Sequence, residues 1–249
     1  MADETIEILP AIYKEMPVVL KTRDGREIKY IRPDEVQNML SFLEGRDKVF
    51  VDLLWNTGAR VSEALMVTPG RIDFERSTIT ITTLKKRKTL PPKGKALRNE
   101  IRGLGLALEH DANSKIIQRR LDQAREMLSQ IKKEPPPPSY RTIPLQPEFA
   151  GKLAAYCMEM SLGAREEIFP VSRIRAYQIV QSAAEKAGIE KARRHPHVFR
   201  HGFAVNAVTA GVPPLVLRNW MGHANIHSTL IYTEALAEDT KSYLDRMKF

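Results

Sequence analysis

The segment HPHVFRHGFAV, residues 195–205, sets His195, His197 and His201 around Arg200 and then continues as an ordinary apolar helix. One of these cations is fixed and the others titrate near neutrality, a combination suited to meeting an anion and moving protons beside it. A lone histidine on an apolar face is more often a satisfied core or surface residue, so the reading depends on what accompanies it. The chain holds only six histidines, and another, His223, stands in NWMGHANIHSTLIYTEA nine residues before Tyr232. Upstream, TGARVSE carries Arg60 with Glu63 one helical turn later, and STITITTL runs into Lys85, Lys86, Arg87 and Lys88.

These residues need elements to hold them, and 249 residues suffice for one large domain, or one domain with a small accessory. No apolar run approaches the ~20 residues of a membrane span, and MADETIEILP lacks the basic start and hydrophobic core of a leader. Cys157 is the only cysteine, which excludes an internal disulfide or a cysteine-cluster metal site and suits a reducing cytoplasm. The net charge of +9 points towards a polyanion. That charge is concentrated: Lys85 to Glu134 holds 14 basic against 6 acidic residues, +8, whereas the remainder has 25 against 24, +1. One segment holding almost the whole imbalance favours nucleic-acid contact over a merely solvated face.

Along the chain, VVLKTRDGREIKYI alternates around Asp24-Gly25, predicting a hairpin with a two-residue turn. RPDEVQNMLSFLEG predicts a helix from Pro33 and Asp34 to Gly45, and DKVFVDLLWNTG a buried helix closed by Gly58. ARVSEALMV restarts a helix at once, with Arg60 expected in its first turn. STITITTL reads as a strand and SYRTIPL as its returning partner, yet about 50 residues separate them where a hairpin needs only a few. Within that insertion Ile117, Leu121, Ala124, Leu128 and Ile131 form one apolar helical stripe, backed by an arginine-rich face. Pro135 to Pro138 end the helix and predict a stiff extended spacer. From RTIPL onward the chain reads as helix after helix, with no internal repeat and no phosphate-cradling glycine loop.

The ordered set of Arg60, a lysine-tipped strand, His197-Val-Phe-Arg200, Gly222-His223 and Tyr232 resembles the tyrosine recombinases, the family of phage integrases and Xer-type resolvases. Each motif alone is weak; their order and spacing together are specific, and the resemblance covers about residues 33 to 240, interrupted by the basic insertion. It implies a mainly α-helical catalytic domain with a small antiparallel β-element. The expected layout is a short N-terminal extension with a hairpin at 1–32 and the catalytic domain at 33–249, carrying a basic helical insertion at about 87–139.

The resemblance also assigns roles. The substrate is a phosphodiester of double-stranded DNA, cleaved and rejoined at a specific site through a 3′-phosphotyrosine. Arg60 and Arg200 match the guanidiniums that grip the phosphate; their rigid donor forks fit its geometry and stay charged at any working pH. Losing one such donor typically costs ~10²–10³ in rate. Tyr232 matches the nucleophile, whose phenol, with pKa near ~10, must shed a proton as it attacks. His197 is placed to take or shuttle that proton, and His223 to hydrogen-bond the phosphate. Lys85 best matches the lysine that protonates the leaving 5′ oxygen, with Lys86 and Lys88 close behind. Glu63 steadies Arg60 from behind, and His201 follows the family's usual Arg-His pair. Because a phosphotyrosine keeps the bond energy, no metal, ATP or other cofactor is implied.

Lys86, Arg87, Lys88, Lys93, Lys95, Arg119 and Arg120 are the candidate DNA-backbone contacts. Family assemblies are tetramers on two DNA sites, so a homo-tetramer is implied, with TKSYLDRMKF docking on a neighbour and accessory DNA-bending proteins as further partners. A cytoplasmic protein attached to nucleoid or plasmid follows, acting in multimer resolution or in integration and excision. Family members commonly carry an N-terminal core-binding domain of ~100 residues, whereas only about 30 residues precede Pro33; a cut-down recombinase or the catalytic part of something larger is expected. Two competing readings are a site-specific DNA-binding protein that lost turnover and a type IB topoisomerase-like relaxing enzyme.

Overall fold

The structure, a computed structural model, describes residues 17–22, 24–84, 90–131 and 138–236. The chain divides into two compact units, one of Met1–Thr83 with Tyr140–Phe249 and one of Leu84–Ser139. Both are mainly helical, as expected, and the strands form two small sheets.

In the larger unit, β1 (Val19–Lys21) and β2 (Glu27–Lys29) pair antiparallel, with Leu20 opposite Ile28. Thr22 and Arg26 close the hairpin, with Gly25 at φ 78°, so the turn is one residue longer than the two-residue form the sequence suggests. Helix α1 spans Pro33–Ser41 and stops four residues before the expected end. Ser41 turns its hydroxyl back onto the Asn38 carbonyl, and Gly45 opens α2 (Gly45–Thr57) instead of closing α1. Helix α2 is closed by Gly58, as the sequence implies. Then α3 lasts a single turn, Val61–Ala64.

Strands β3 (Ile72–Asp73), β4 (Thr78–Thr83) and β5 (Ser139–Pro144) form the second sheet, with β4 in the middle. Arg141, Ile143 and Leu145 all point inward, the period-two face of a half-buried strand. The chain continues through α6 (Pro147–Glu159), α7 (Arg173–Lys186), α8 (His197–Thr209), α9 (Pro214–Met221) and α10 (His227–Leu236).

Two apolar clusters make the core. The larger gathers α1, α2, α6, α7 and the inner face of the second sheet, with Phe50 edge-on to Phe169 at 5.3 Å between ring centroids. The smaller joins the β1–β2 hairpin to α8, α9 and α10 through Leu20, Ile28, Tyr30, Val205, Leu217 and Tyr232. Burying a residue such as Leu20 or Ile28 contributes about 1.5–3 kcal/mol, so the hairpin anchors the helix bearing Tyr232. Helix α8 serves both clusters: Val198 and Phe199 face the first, Ala204 and Val205 the second. Just before it, the buried Arg193 donates to both oxygens of Glu35, at 2.8 and 2.7 Å, and to the Tyr30 carbonyl at 3.1 Å. That bidentate clamp ties the start of α8 to α1 and the hairpin.

The smaller unit is a helical hairpin of α4 (Pro92–His110) and α5 (Lys115–Gln130). Leu121 and Ala124 of the predicted stripe are buried, and Ile117, Leu128 and Ile131 are half-buried. Together with Leu97 of α4 they give this hairpin its own small core. The spacer expected from Pro135 to Pro138 falls, except for Pro138, outside the described residues, as do residues 1–16 and the whole of TKSYLDRMKF.

Candidate active site

Arg60 lies immediately before α3, one position earlier than expected: it is the N-cap, with extended backbone at φ −71° and ψ 148°. Glu63 explains why. Its Oε2 accepts the Arg60 amide at 3.1 Å and its Oε1 accepts Arg60 Nη1 at 2.8 Å. One carboxylate therefore caps the helix and aims the guanidinium, which keeps 24% of its side chain exposed while Glu63 is fully buried.

Arg200, in the first turn of α8, is buried between the two core clusters. Its Nη1 donates to the Gly58 carbonyl at 2.7 Å and its Nη2 to the Met221 carbonyl. Two helix C-termini thus hold the fork, because the last carbonyls of a helix lack partners within it. Burial first, then the charges of Arg60 and Arg141, push the Arg200 pKa down to about 10, against a partial lift from Glu63.

His223 follows Gly222, which closes α9 in the left-handed conformation at φ 63°. Its Nδ1 shares a hydrogen bond of 2.9 Å with the hydroxyl of Thr229, a fully buried residue in the first turn of α10. Burial, reinforced by Arg200, Arg60 and Arg141, lowers its pKa to about 4. Tyr232, one turn further along α10, is 2% exposed, and its hydroxyl meets His201 Nδ1 at 2.8 Å. Burial raises the phenol to about 12 against the opposing pull of Arg200. The same burial, with His197, Arg200 and His195 as like-charged neighbours, lowers His201 to about 4.

His195, His197, His201 and Tyr232 form a file of rings, with successive centroids 6.5, 6.5 and 5.8 Å apart. His197 is exposed, whereas His201, expected only as a supporting residue, touches the tyrosine directly.

The site thus brings together Arg60, Glu63, Arg200, His201, His223 and Tyr232. Lys85, Lys86, Arg87 and Lys88 lie outside the described residues. Lys93 and Lys95 are exposed on α4, and Arg119 is exposed on α5. Arg120 is ion-paired with Glu100 of α4 at 2.6 Å, so it braces the helical hairpin. Sequence reasoning passed over Arg141 and Thr229. A charged residue on the inward phase of SYRTIPL, aligned with Ile143 and Leu145, is the signal that could have revealed Arg141. Among the described residues no group of three or more histidine, cysteine, aspartate or glutamate side chains could hold a metal, and no helix is long and apolar enough to cross a membrane.

Comparison with known proteins identifies the family and the fold. Residues 29–239 match the phage integrase family, and the chain belongs to it. It is 27% identical over 235 residues to an Escherichia coli protein named integrase/recombinase, spanning 91% of this chain and 62% of that protein. It is 26% identical over 211 residues to the tyrosine recombinase XerD of Mycobacterium tuberculosis, spanning 80% of this chain and 55% of the relative. The chain therefore spans only about half to three-fifths of these relatives' length. The fold is that of the catalytic domain of bacteriophage HP1 integrase, with a TM-score of 0.52, 20% identity, and coverage of 87% of this chain and 94% of that one.

Proposed function

We propose that this chain is the catalytic part of a site-specific recombinase that cuts and rejoins double-stranded DNA through a 3′-phosphotyrosine on Tyr232. The observation that carries the reading is the clustering of Arg60 and His223 around Arg200, whose charge also acts on the Tyr232 phenol; among the described residues, Glu63 is the carboxylate hydrogen-bonded to Arg60. Such a site has excess positive charge and directed donors, the combination that binds an anion.

In the proposed reaction the scissile phosphate sits in the forks of Arg60 and Arg200, with His223 donating to a non-bridging oxygen. The Tyr232 oxygen bonds to phosphorus as the bond to the 5′ oxygen breaks, and phosphorus stays attached to the 3′ oxygen. The tyrosine proton passes to the imidazole file, through His201, which already holds the hydroxyl, or through His197. The departing 5′ oxygen takes a proton from Lys85, with Lys86 or Lys88 as the alternative donor. Reversal against a new 5′ hydroxyl reseals the strand.

With its phenol at about 12, Tyr232 is protonated by a factor of roughly 10⁴–10⁵ at neutral pH, so unaided attack would be negligible. Attack therefore requires the proton to be taken from the hydroxyl, and His201, hydrogen-bonded to it, is the acceptor at hand.

The exposed cations of the helical hairpin, including Lys93, Lys95 and Arg119, are proposed to grip the DNA backbone. The active form in this reading is a homo-tetramer on two DNA sites, with accessory DNA-bending proteins as further partners. Its role is resolving plasmid or replicon multimers, with integration or excision of a mobile element as the neighbouring role. The test is covalent capture. Duplexes of random sequence, nicked to trap the intermediate, are incubated with the chain, and adducts are sought on a denaturing gel. Adducts should form with the wild type and vanish with Tyr232→Phe; adducts that persist in the variant would move the nucleophile elsewhere.

A further inference from the structure

We infer that Arg141 is a positioning residue of this site: it occupies one oxygen of Glu63, keeps the Arg60 fork open to the phosphate, and locks the turn that carries His223. The inference rests on the recombinase reading above. Arg141 stands on β5, 78 residues from Glu63 in sequence, with 6% of its side chain exposed. Its guanidinium serves three separate segments at once. Nη2 donates to Glu63 Oε2 at 2.7 Å, Nη1 to the Thr83 hydroxyl at 3.0 Å, and Nε to the Trp220 carbonyl at 2.7 Å. Those acceptors lie on α3, at the end of β4, and in the last turn of α9 just before Gly222 and His223. Only a planar fork with donors in fixed directions can meet three such acceptors; a lysine ammonium is a point charge and cannot reproduce the geometry.

Room for the fork is built in at Gly222. A Cβ there would stand 3.1 Å from Arg141 Nη1 and 3.2 Å from its Cδ, and the residue's φ of 63° is itself unfavourable for a side chain. The residue before His223 is thus constrained by the helix cap and by Arg141 together.

The electrostatic consequence concerns Arg60. A free carboxylate facing a guanidinium tends to engage it with both oxygens. Here Glu63 gives Arg60 Nη1 only Oε1, because Oε2 is held by Arg141 Nη2 and the Arg60 amide. Two guanidiniums share one negative charge, so Arg60 retains both cationic character and unspent donors. Without Arg141, Glu63 would close on Arg60 and compete with the phosphate. Burial on its own would raise the Glu63 carboxyl, but the hydrogen bond and charge of Arg141, helped by Arg60, outweigh it and keep the group ionised.

The experiment uses duplexes recovered as adducts by the wild-type chain from a random nicked pool. Arg141→Lys keeps the charge and loses the fork. It should slow adduct formation at saturating DNA by about 10–100-fold, the scale of a misplaced catalytic group. DNA affinity should stay within about threefold, since the phosphate contacts themselves remain. Adding Glu63→Gln to Arg141→Met should recover part of the rate lost by Arg141→Met alone, because the competing charge is then gone. A purely structural role predicts no such recovery at matched folded fraction, read by circular dichroism. If Arg141→Lys does not fold, Thr83→Val, which removes only the acceptor of Nη1, decides by the same two readings. A folded Arg141→Lys that cleaves within twofold of wild type, or that loses affinity as much as rate, overturns the inference and leaves the recombinase reading standing. A wild type that forms no adduct overturns both.

Discussion

Replacing His201 by asparagine should remove an acid sensitivity that the wild type carries, and the size of the effect follows from the geometry. His201 lies against Tyr232 with its Nδ1 2.8 Å from the hydroxyl, and burial, with His197, Arg200 and His195 nearby, lowers its pKa from 6.5 to about 4. A folded pKa below the unfolded one means that, between those two values, the unfolded chain holds more protons than the folded chain. Stability from this residue is therefore present above about pH 6.5 and is lost progressively as pH falls towards 4, where it levels off. In full the gap corresponds to about 3 kcal/mol, and roughly 2.5 kcal/mol of it should be gone by about pH 4.5.

Asparagine is the informative substitution because its amide reaches about as far as Nδ1 and can still accept the tyrosine hydroxyl, yet it does not titrate. At neutral pH the variant should therefore lie within about 1 kcal/mol of wild type, the net worth of one hydrogen bond. Urea unfolding of both proteins at about pH 7.5 and pH 4.5 gives a difference of differences in which carboxylates and His223, common to both, cancel. The variant should lose about 2.5 kcal/mol less than the wild type on acidification. A double difference below about 0.5 kcal/mol would refute the reasoning, because His201 would then titrate normally and could not be enclosed against Tyr232.

Tyr232→Phe should abolish the covalent DNA adduct while DNA affinity, measured by fluorescence anisotropy, changes less than about threefold, since only one buried hydroxyl is removed. Glu63→Gln removes the carboxylate shared by Arg60 and Arg141 and should destabilise the fold by about 3–5 kcal/mol, read by thermal or urea unfolding. A loss under about 1 kcal/mol would mean the buried ion pairs do not form as described. Bridging Leu90 to Pro138 by a short Gly-Ser turn removes 10 of the segment's 14 basic residues together with its 6 acidic ones, a net +4 of its +8. If that segment grips the backbone, the log–log salt slope of DNA binding, near about −0.9 per phosphate neutralised, should flatten by several units. An unchanged slope would leave the insertion's charge as solvated surface. On DNA with a 5′-bridging phosphorothiolate, whose sulfur leaves without a proton, Lys85→Ala should cleave far better than on ordinary DNA; equal slowing on both would demote Lys85 to a binding role.

Some of this site is legible in the sequence because its chemistry is local. Arg200 and His197 sit three residues apart on one helix, and the steps to His223 and Tyr232 fix which turn each occupies. Glu63 is legible as a partner of Arg60 for the same reason, being one helical turn away, although the capping bond that moves Arg60 out of the helix is a tertiary detail. The contact of His201 with Tyr232 is harder to read, since it depends on how α8 and α10 cross, and spacing within either helix says nothing of that. Arg141 was least legible. Its three acceptors come from residues 63, 83 and 220, and the basic insertion places it among many cations that look alike in sequence. Only the alternation of its strand sets it apart. The stop of α1 at Ser41 was hidden likewise, because Gly45 signals a helix end in isolation and here begins the next helix.

The charge balance of the site argues for an anionic partner independently of any motif. Among the described residues three guanidiniums, Arg60, Arg141 and Arg200, lie around the Glu63 carboxylate, and His201 and His223 beside them are held neutral. A chain selected only to be stable could have placed a second carboxylate beside Arg200. Instead Arg200 is met by neutral carbonyls of Gly58 and Met221, which fix its direction without cancelling its charge. Lowering its pKa from 12.5 to about 10 means that the folded state bears on the order of 3 kcal/mol to keep this cation buried. A phosphodiester entering between Arg60 and Arg200 would relieve that cost, and the burial of Arg200 would strengthen its hydrogen bond to the anion. The same anion would raise the depressed histidines and so make His201 a better acceptor for the Tyr232 proton. Binding and activation would then be one electrostatic event, with the bound anion balancing the cationic cluster.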